Sequence, residues 1–236
     1  MGFFRGPDIV RDGLVNNWDL ASNRSYTSGT TIYDLVGSTN LTINGSPTYS
    51  DQQTGDGYGF ITMTDNQITK YLQVSSFSFP TTAVSIEIWC RTADATQNQS
   101  LISYAVSGDS NESLLFYAGS SSQKMNIFGP VGSHSSYQAL TEDAWTQVTY
   151  TRLSSSGATK LYYNGAQVRS TTMAAGTNFT SGGTLNFGQE QDSEGGGFDS
   201  GQCWIGDYSI IRFYNKVLEL EEVQQNYNAQ KTRFGL

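Results

Sequence analysis

The chain has 236 residues, 14% of them charged, and its net charge at neutral pH is −8. Because affinity for nucleic acid comes mainly from Lys and Arg that neutralise phosphates, this balance excludes a nucleic-acid partner. No apolar run is long enough to insert into a membrane, and the first residues lack the pattern of a secretory signal peptide. We expect one domain over residues 1–236, with an N-terminal arm of about residues 1–12 and a C-terminal tail of about residues 231–236.

Alternation of apolar and polar residues predicts strands along most of the chain. In VSIEIWCR, Ile86 and Ile88 share one face while Glu87 and Trp89 share the other, which predicts a half-buried strand. The predicted strands, in chain order, cover 13–20, 59–64, 70–75, 84–91, 100–106, 113–118, 124–129, 146–153, 184–187 and 203–214. Many short strands joined by Gly-, Ser- and Asn-rich connections indicate an all-β fold, an antiparallel jelly-roll β-sandwich.

One tight turn is predicted in TKLYYNGAQVRS. The dipeptide Asn164-Gly165 stands between two alternating segments. Both residue types tolerate the positive φ angles of a two-residue turn, so this stretch predicts a β-hairpin.

A short C-terminal helix is predicted in LELEEVQQNYNAQ. Leu220, Val223 and Tyr227 recur at helical spacing, and acidic residues at the start favour a helix N-terminus. We expect this helix to lie on the edge of the sandwich. In the tail that follows, Phe234 and Leu236 are expected to dock on the body of the protein or on a neighbouring subunit.

The cysteine and histidine content gives no support to thiol, zinc or triad chemistry. Cys90 and Cys203 have no metal-type spacing, and they are interpreted as two buried free thiols, with a single disulfide as the alternative. The one histidine, His134, is predicted to lie in a solvent-facing loop. Tyr137 and Tyr208 are predicted to be surface aromatics, able to stack on sugar rings.

The stretch GQEQDSEGGGFDSGQ, residues 188–202, concentrates four carboxylates around a run of glycines. No Lys or Arg lies between Arg169 and Arg212 to offset their charge. A divalent cation is the natural partner for such a cluster. Three interpretations stay open: a solvated turn without an ion, a calcium ion that only stabilises the loop, and a calcium ion that also coordinates an acidic or hydroxyl-bearing ligand.

The same stretch also raises the possibility of an enzyme. Glu190, Asp192 and Glu194 alternate, so on a strand their carboxylates would share one face. This spacing resembles the catalytic strand of laminarinase-type glycoside hydrolases, in which two carboxylates cleave the glycosidic bond. The polar residues between the carboxylates and the glycines that follow favour a loop instead, so a non-enzymatic protein is expected.

Two segments resemble the pentraxins, the family of C-reactive protein and serum amyloid P component. They are GQEQDSEGGGFDSGQCWIGD and SLISYAVSGDSNESLLFY. The order of strand motifs is similar to that family from about residue 58 to residue 227. The resemblance implies the concanavalin A-like, laminin-G-like sandwich.

The resemblance also implies a site for one or two calcium ions. Glu190 and Asp192 would bridge two ions, and the backbone carbonyl of Gln191 would add a ligand. The remaining implied ligands are Asp199 and Gln202 for the second ion, and Asn111 with Asp109 for the first.

Four features of this sequence stand out in the comparison with the family pattern. Asp199 stands where the family usually has Glu, and Asp109 is one position out of register with the family's acidic residue. The family's cysteine pair is absent. Phe116 aligns with the apolar residue beside the family's ligand pocket, which makes it a candidate ligand-binding residue.

Both ends of the chain, including DGLVNNWDLASN and NYNAQKTRFGL, look like laminin-G-like virion proteins of tailed bacteriophages. This likeness implies a non-enzymatic, calcium-binding, lectin-like component of a phage decoration, fibre or appendage, which reaches the outside when the host lyses. The expected partners are other virion proteins and cell-surface glycans or phosphorylated headgroups. The apolar ends, Phe3, Phe4, Phe234 and Leu236, favour a homo-oligomer.

Overall fold

The computed structural model describes residues 8–51, 59–64, 67–108, 114–119, 124–130 and 134–236. Within these residues the chain forms two antiparallel sheets and one short α-helix. Sheet 1 contains β1 (Leu14–Asp19), β4 (Thr48–Ser50), β5 (Phe60–Met63), β7 (Ala83–Thr92), β12 (Thr146–Leu153), β13 (Ala158–Tyr163), β14 (Ala166–Thr172) and β16 (Gly206–Tyr214). Sheet 2 contains β2 (Thr31–Ile32), β3 (Leu41–Asn44), β6 (Tyr71–Val74), β8 (Gln99–Ala105), β9 (Leu114–Gly119), β10 (Lys124–Phe128), β11 (His134–Gln138) and β15 (Thr184–Phe187).

The strand order brings segments that are distant in sequence together. Sheet 1 runs β14-β13-β12-β7-β16-β5-β4, and β1 also pairs with β16. Sheet 2 runs β11-β10-β9-β8-β15-β6-β3-β2. Therefore β15 and β16, which flank the acidic stretch, lie inside different sheets, and the chain between them must pass from one sheet to the other.

The hydrophobic core fills the space between the two sheets. Ile86, Ile88 and Phe213 project from sheet 1, and Leu185 and Phe187 project from sheet 2, all of them almost fully buried. Alternate residues of a strand point to opposite faces, so each strand contributes one side-chain set to this core and the other to an outer face. The fold is thus the all-β antiparallel jelly roll predicted from the sequence.

Most predicted elements are confirmed within a few residues, and four short strands were missed. The segment Cys203–Ile205 precedes β16 rather than forming part of it. The hairpin is confirmed, because Asn164 (φ 51°) and Gly165 (φ 78°) join β13 to β14. The missed strands are β2, β3, β4 and β11. Strands β2, β3 and β4 are too short for a period of two to be recognised in the sequence.

The chain ends in a C-terminal segment, Leu220–Phe234, made of helix α1 (Leu220–Gln230) and a 3-10 helix (Lys231–Phe234). A capping box between Glu219 and Glu222 begins α1. The predicted position on the sandwich edge was wrong, because the segment covers the outer face of sheet 1. There, Asn226 donates to Glu87 of the inner strand β7 at 2.8 Å.

The tail docks through one of its two predicted residues. The Phe234 ring stacks on Trp89 with ring centroids 4.0 Å apart. Leu236, in contrast, is 47% exposed. The prediction that Trp89 and Glu87 lie on a half-exposed face was also wrong, because the C-terminal segment buries both completely.

Four further predictions meet a definite outcome. Cys90 and Cys203 are buried free thiols, as expected. Tyr208 is not a surface aromatic: it is fully buried, and its hydroxyl donates to the Leu101 carbonyl at 2.7 Å. Tyr137 is half-buried against Tyr163, and His134 begins strand β11 instead of lying in a loop. No helix among the described residues is long and apolar enough to span a membrane.

Candidate functional site

The acidic loop, residues 188–202, follows β15 and packs across the outer face of sheet 2. The Ser103 hydroxyl of the neighbouring strand β8 donates to the Gln189 carbonyl at 2.7 Å. The Gln189 side chain donates in turn to the carbonyls of Gln67 and Lys70, at 3.0 and 3.2 Å. The start of the loop is therefore fixed by hydrogen bonds to the sheet and to the connection that precedes β6.

The Gln191 side chain fastens the next turn of the loop. Its Nε2 donates to Ser103 Oγ at 2.9 Å and to the Thr184 carbonyl at 3.2 Å. Its Oε1 accepts the Gly195 backbone N–H at 2.8 Å. This amide is completely buried, and both of its ends are engaged in holding the loop on the sheet.

Glu190 is a buried carboxylate at the centre of the loop. It is 2% exposed, although it belongs to the most acidic part of the chain. Its Oε1 accepts the backbone N–H of Asp199 at 2.8 Å, which brings the two ends of the loop together. Burying a carboxylate costs free energy unless charge or hydrogen bonds compensate, and the Asp199 N–H supplies one such hydrogen bond.

Asp199 and Gln202 lie at the other end of the loop and contact each other. Asp199 is exposed; its Oδ1 accepts the Gly201 N–H at 2.8 Å, and its Oδ2 accepts from Gln202 Nε2 at 3.3 Å. Both hydrogen bonds lower the pKa of Asp199, and the one from the Gly201 backbone has the larger effect. For both residues to bind one ion, the Gln202 amide must turn its oxygen toward the metal in place of its nitrogen.

Asp192 and Glu194 are exposed, on the outer side of the loop. Gly197, at φ +74°, passes so close to Asp192 that an added Cβ would lie 2.8 Å from the Asp192 Cβ. Residues 190–194 form a loop with an isolated bridge between Ser193 and Gly196, not a ladder strand. The face shared by Glu190, Asp192 and Glu194, which the hydrolase alternative required, does not form, so the loop interpretation is confirmed.

One buried residue beneath the loop was missed by the sequence analysis. Asn186 on β15 is in register with Ser103, so its side chain shares the face that the loop covers. It is fully buried, and neither its Oδ1 nor its Nδ2 has a hydrogen-bond partner among the described residues. In the sequence, alternation with Leu185 and Phe187 indicates only that Asn186 faces outward, and an outward Asn is ordinarily exposed.

The loop supplies oxygen ligands of the kind that calcium prefers. The carboxylates of Glu190, Asp192 and Asp199 and the Gln191 carbonyl belong to one loop, and unpaired polar atoms of Asn186 lie beneath it. Among the described residues, however, no group of three or more His, Cys, Asp or Glu side chains converges closely enough to hold a metal ion. The chemistry of the ligands fits calcium, while a complete shell requires further ligands or movement of the exposed carboxylates.

The remaining predicted site residues are less fully described. Asp109 and Asn111, expected to complete the first ion, lie outside the described residues. Phe116 lies on β9, which pairs with β8 and β10. The backbone therefore positions Phe116 two strands from β15, on the sheet that the acidic loop covers.

The described residues thus define a jelly-roll β-sandwich protein with an oxygen-rich acidic loop on one outer face. The chain belongs to the pentaxin family, whose model matches residues 63–234.

Individual relatives match shorter stretches. Pig (Sus scrofa) C-reactive protein is 32% identical over 74 residues, which is 31% of this chain and 33% of the relative. A Xenopus laevis pentraxin fusion protein is 30% identical over 91 residues, which is 39% of this chain and 22% of the relative. The matches thus span about a third or less of these relatives.

The fold likeness extends to solved structures. The heptameric SAP-like pentraxin of Limulus polyphemus superposes with a TM-score of 0.61 at 20% identity. The superposition covers 70% of this chain and 79% of that one. At this identity, the likeness establishes the common sandwich.

Proposed function

We propose that this protein is a non-enzymatic, calcium-dependent, lectin-like binding protein whose acidic loop holds the ion. Membership of the pentaxin family carries this proposal. The four carboxylates of the acidic loop, a stretch that contains no Lys or Arg, support it, because a cation reduces the repulsion among them.

In the proposed site, each residue has a defined part. Glu190 and Asp192 would hold calcium through their carboxylates, and Gln191 would add its backbone carbonyl. Asp199 and Gln202 would supply further oxygen ligands for one ion, and Asn111 with Asp109 would do so for another. Whether one or two ions bind depends on this last pair, because its register departs from the family pattern.

The test is a thermal melt of the purified protein in calcium and in chelator. An ion that binds only the folded state raises the melting temperature, and we expect a rise of several degrees. Glu190→Gln keeps an oxygen that can accept the Asp199 N–H but removes the charge, so it should abolish the rise. The matched control is Glu194→Gln in the same loop, which should keep almost the whole rise.

Two results would contradict the proposal. One is a wild-type melting temperature that is the same in calcium and chelator. The other is a Glu190→Gln variant that responds to calcium as strongly as Glu194→Gln. Comparison of all three proteins in chelator separates loss of calcium binding from a folding defect.

The bound calcium is proposed to coordinate a cell-surface glycan or a phosphorylated headgroup, with Phe116 beside the ligand. Oxygen-rich ligands suit an ion whose shell the protein leaves incomplete. Retention on host polysaccharide or on a phosphate-ester resin in calcium, and release by chelator, would support this role. If the melting temperature depends on calcium but the protein is not retained, the ion only stabilises the fold.

We further propose that residues 1–236 form one domain that assembles as a homo-oligomer in a phage virion. The likeness of both chain ends to phage laminin-G-like proteins supports the virion role. The burial of Phe234 within its own chain removes it from the apolar surface that suggested self-association, and exposed Leu236 remains. Light scattering after gel filtration tests the oligomer, and immunogold labelling of purified particles tests the virion position.

A further inference from the structure

Asn186 is a buried amide on the face of sheet 2 that the acidic loop covers. Its neighbours on β15, Leu185 and Phe187, belong to the core, so the Asn186 side chain projects to the opposite, outer face. Asn186 is nevertheless 0% exposed. Neither its Oδ1 nor its Nδ2 has a hydrogen-bond partner within the described parts of the chain.

Hydrogen bonds place the start of the acidic loop next to this amide. Asn186 pairs in register with Ser103 on β8, so their side chains are adjacent on the outer face. Ser103 Oγ donates to the Gln189 carbonyl at 2.7 Å and accepts from Gln191 Nε2 at 2.9 Å. The same Nε2 donates at 3.2 Å to the carbonyl of Thr184, which precedes Asn186 by two residues on β15. The chain between the two anchored glutamines therefore passes beside Asn186.

The position of the loop in this structure is unfavourable for Asn186. Removing both ends of an amide from water without new hydrogen bonds costs free energy, and native proteins satisfy nearly all such groups. An Asn side chain needs an acceptor for Nδ2 and a donor for Oδ1. Backbone supplies both kinds of group, and the backbone that passes beside Asn186 is that of Glu190 and Gln191. A shift that turns a carbonyl and an N–H of this segment toward Asn186 would satisfy the amide.

The segment beside Asn186 also carries two of the proposed calcium ligands, the Glu190 carboxylate and the Gln191 carbonyl. Within the described residues, no group of three or more His, Cys, Asp or Glu side chains lies close enough to hold an ion. The carboxylates of the loop must therefore move closer together to share one. Groups that hydrogen-bond next to a metal ligand fix the direction of that ligand, and they affect metal affinity strongly.

We propose that Asn186 is a positioning residue for the metal site, an inference that rests on the calcium site proposed above. When the loop adjusts around an ion, the Asn186 amide pairs with the backbone of Glu190 or Gln191 and holds their ligand oxygens in place. Ion binding and pairing of the amide are then coupled, because both favour the same arrangement of the loop. Asn186 does not contact the ion and acts only through the two residues beside it.

The test compares the wild-type chain with Asn186→Leu in calorimetric titrations with calcium and in thermal melts in chelator. Leu is close to Asn in shape and needs no hydrogen bond. In chelator, we expect the variant to keep or raise the melting temperature, because it loses an unsatisfied group. Its calcium affinity should nevertheless fall by about tenfold or more, since losing a group that supports a metal ligand typically costs about 10- to 100-fold. A residue that only packs beneath the loop would leave the affinity unchanged.

Asn44→Leu is the matched control. Asn44 follows the core residue Ile43 on β3, so its side chain lies on the same outer face, two strands from β15. Its amide donates to the Thr42 carbonyl at 3.4 Å. The same replacement at this position should leave the calcium affinity at the wild-type value.

Three results would overturn the inference, and they differ in what they leave standing. Wild-type affinity in Asn186→Leu, or an equal loss in Asn44→Leu, removes the positioning role but keeps the calcium site. A melting temperature of Asn186→Leu that falls by several degrees in chelator shows that the amide is already paired without calcium. A wild-type chain that takes up no calcium contradicts the proposed site itself, and the positioning role with it.

Discussion

Each sheet of the sandwich has an outer face covered by another segment of the chain, and the two covers differ in chemistry. The C-terminal segment lies on sheet 1 through stacked aromatic rings and a hydrogen bond from Asn226 to Glu87, which is paired with Arg212 of the same sheet. The acidic loop lies on sheet 2 through hydrogen bonds of Gln189 and Gln191. The buried charge under the first cover is paired within the sheet, whereas the second cover gathers four carboxylates in a stretch that contains no Lys or Arg.

This difference indicates a different task for each face. A face whose buried charges are paired can stay closed without any added ligand. A face with clustered carboxylates becomes more stable when a cation arrives. We therefore expect the C-terminal segment to contribute stability in all conditions, and the acidic loop to gain stability in calcium.

The largest expected effect comes from breaking the ion pair under the C-terminal segment. Arg212→Met leaves Glu87 buried without its counter-charge, which should lower the free energy of unfolding by about 3–5 kcal/mol. Urea denaturation measures this loss. The control is Asp12→Asn. The Asp12 side chain is 83% exposed, so losing its ion pair with Lys216 should lower the free energy of unfolding by less than about 1 kcal/mol. Similar small losses in both variants would contradict the structural role of the buried pair.

The aromatic part of the same cover should contribute somewhat less. Phe234→Ala removes the ring that stacks on Trp89 and packs at a tilt against Trp145, with an expected loss of about 3 kcal/mol. Leu236→Ala, two residues further along, should change the free energy of unfolding very little because Leu236 is exposed. Equal losses from the two substitutions in urea denaturation would show that the segment does not dock through Phe234.

Calcium should sharpen the contrast between the two covers. At a hundredfold excess over its dissociation constant, an ion bound only to the folded state adds about 2.7 kcal/mol of stability. In hydrogen exchange, the added protection should be greatest at loop amides such as Gly195 and Asp199, and small in α1. Protection confined to α1 would contradict the assignment of the ion to the acidic loop.

The smallest effect concerns pH and the ion pair between Asp19 and Arg233. Burial by itself raises the pKa of Asp19. The hydrogen bonds and positive charge of Arg233, together with the charge of Arg212, outweigh the effect of burial, so the pKa of Asp19 is lowered overall. A carboxyl whose pKa is lower in the folded state stabilises the fold above its unfolded pKa, and this stability is lost as the pH falls through the folded pKa.

Arg233→Met should therefore cost about 1 kcal/mol or less at neutral pH, and it should flatten the decline of stability in acid. The free energy of unfolding, measured between neutral and acidic pH for both proteins, provides the comparison. A variant whose acid profile matches that of the wild type would show that Asp19 is held by other groups.

Much of the fold was predictable from short-range pattern. Period-two alternation located β7, β8, β12 and β15 nearly to the residue, and Asn164-Gly165 identified the hairpin. These signals are local, because a strand's pleat and a turn's φ angles are properties of neighbouring residues. The composition of the acidic loop likewise indicated a cation site before any tertiary contact was known.

What the sequence determined by itself was the alternation of the longer strands, the C-terminal helix with its acidic start, and the carboxylates of the acidic loop. Tertiary structure alone decided what happens on the outer faces. Glu87, Trp89, Gln147 and Asn186 alternate with core residues and so were expected to be half-exposed, yet each is fully buried. The physical reason is that a local period records which face a side chain takes but not what covers that face. The C-terminal segment comes from a distant part of the chain, and the acidic loop folds back onto the sheet from the end of β15.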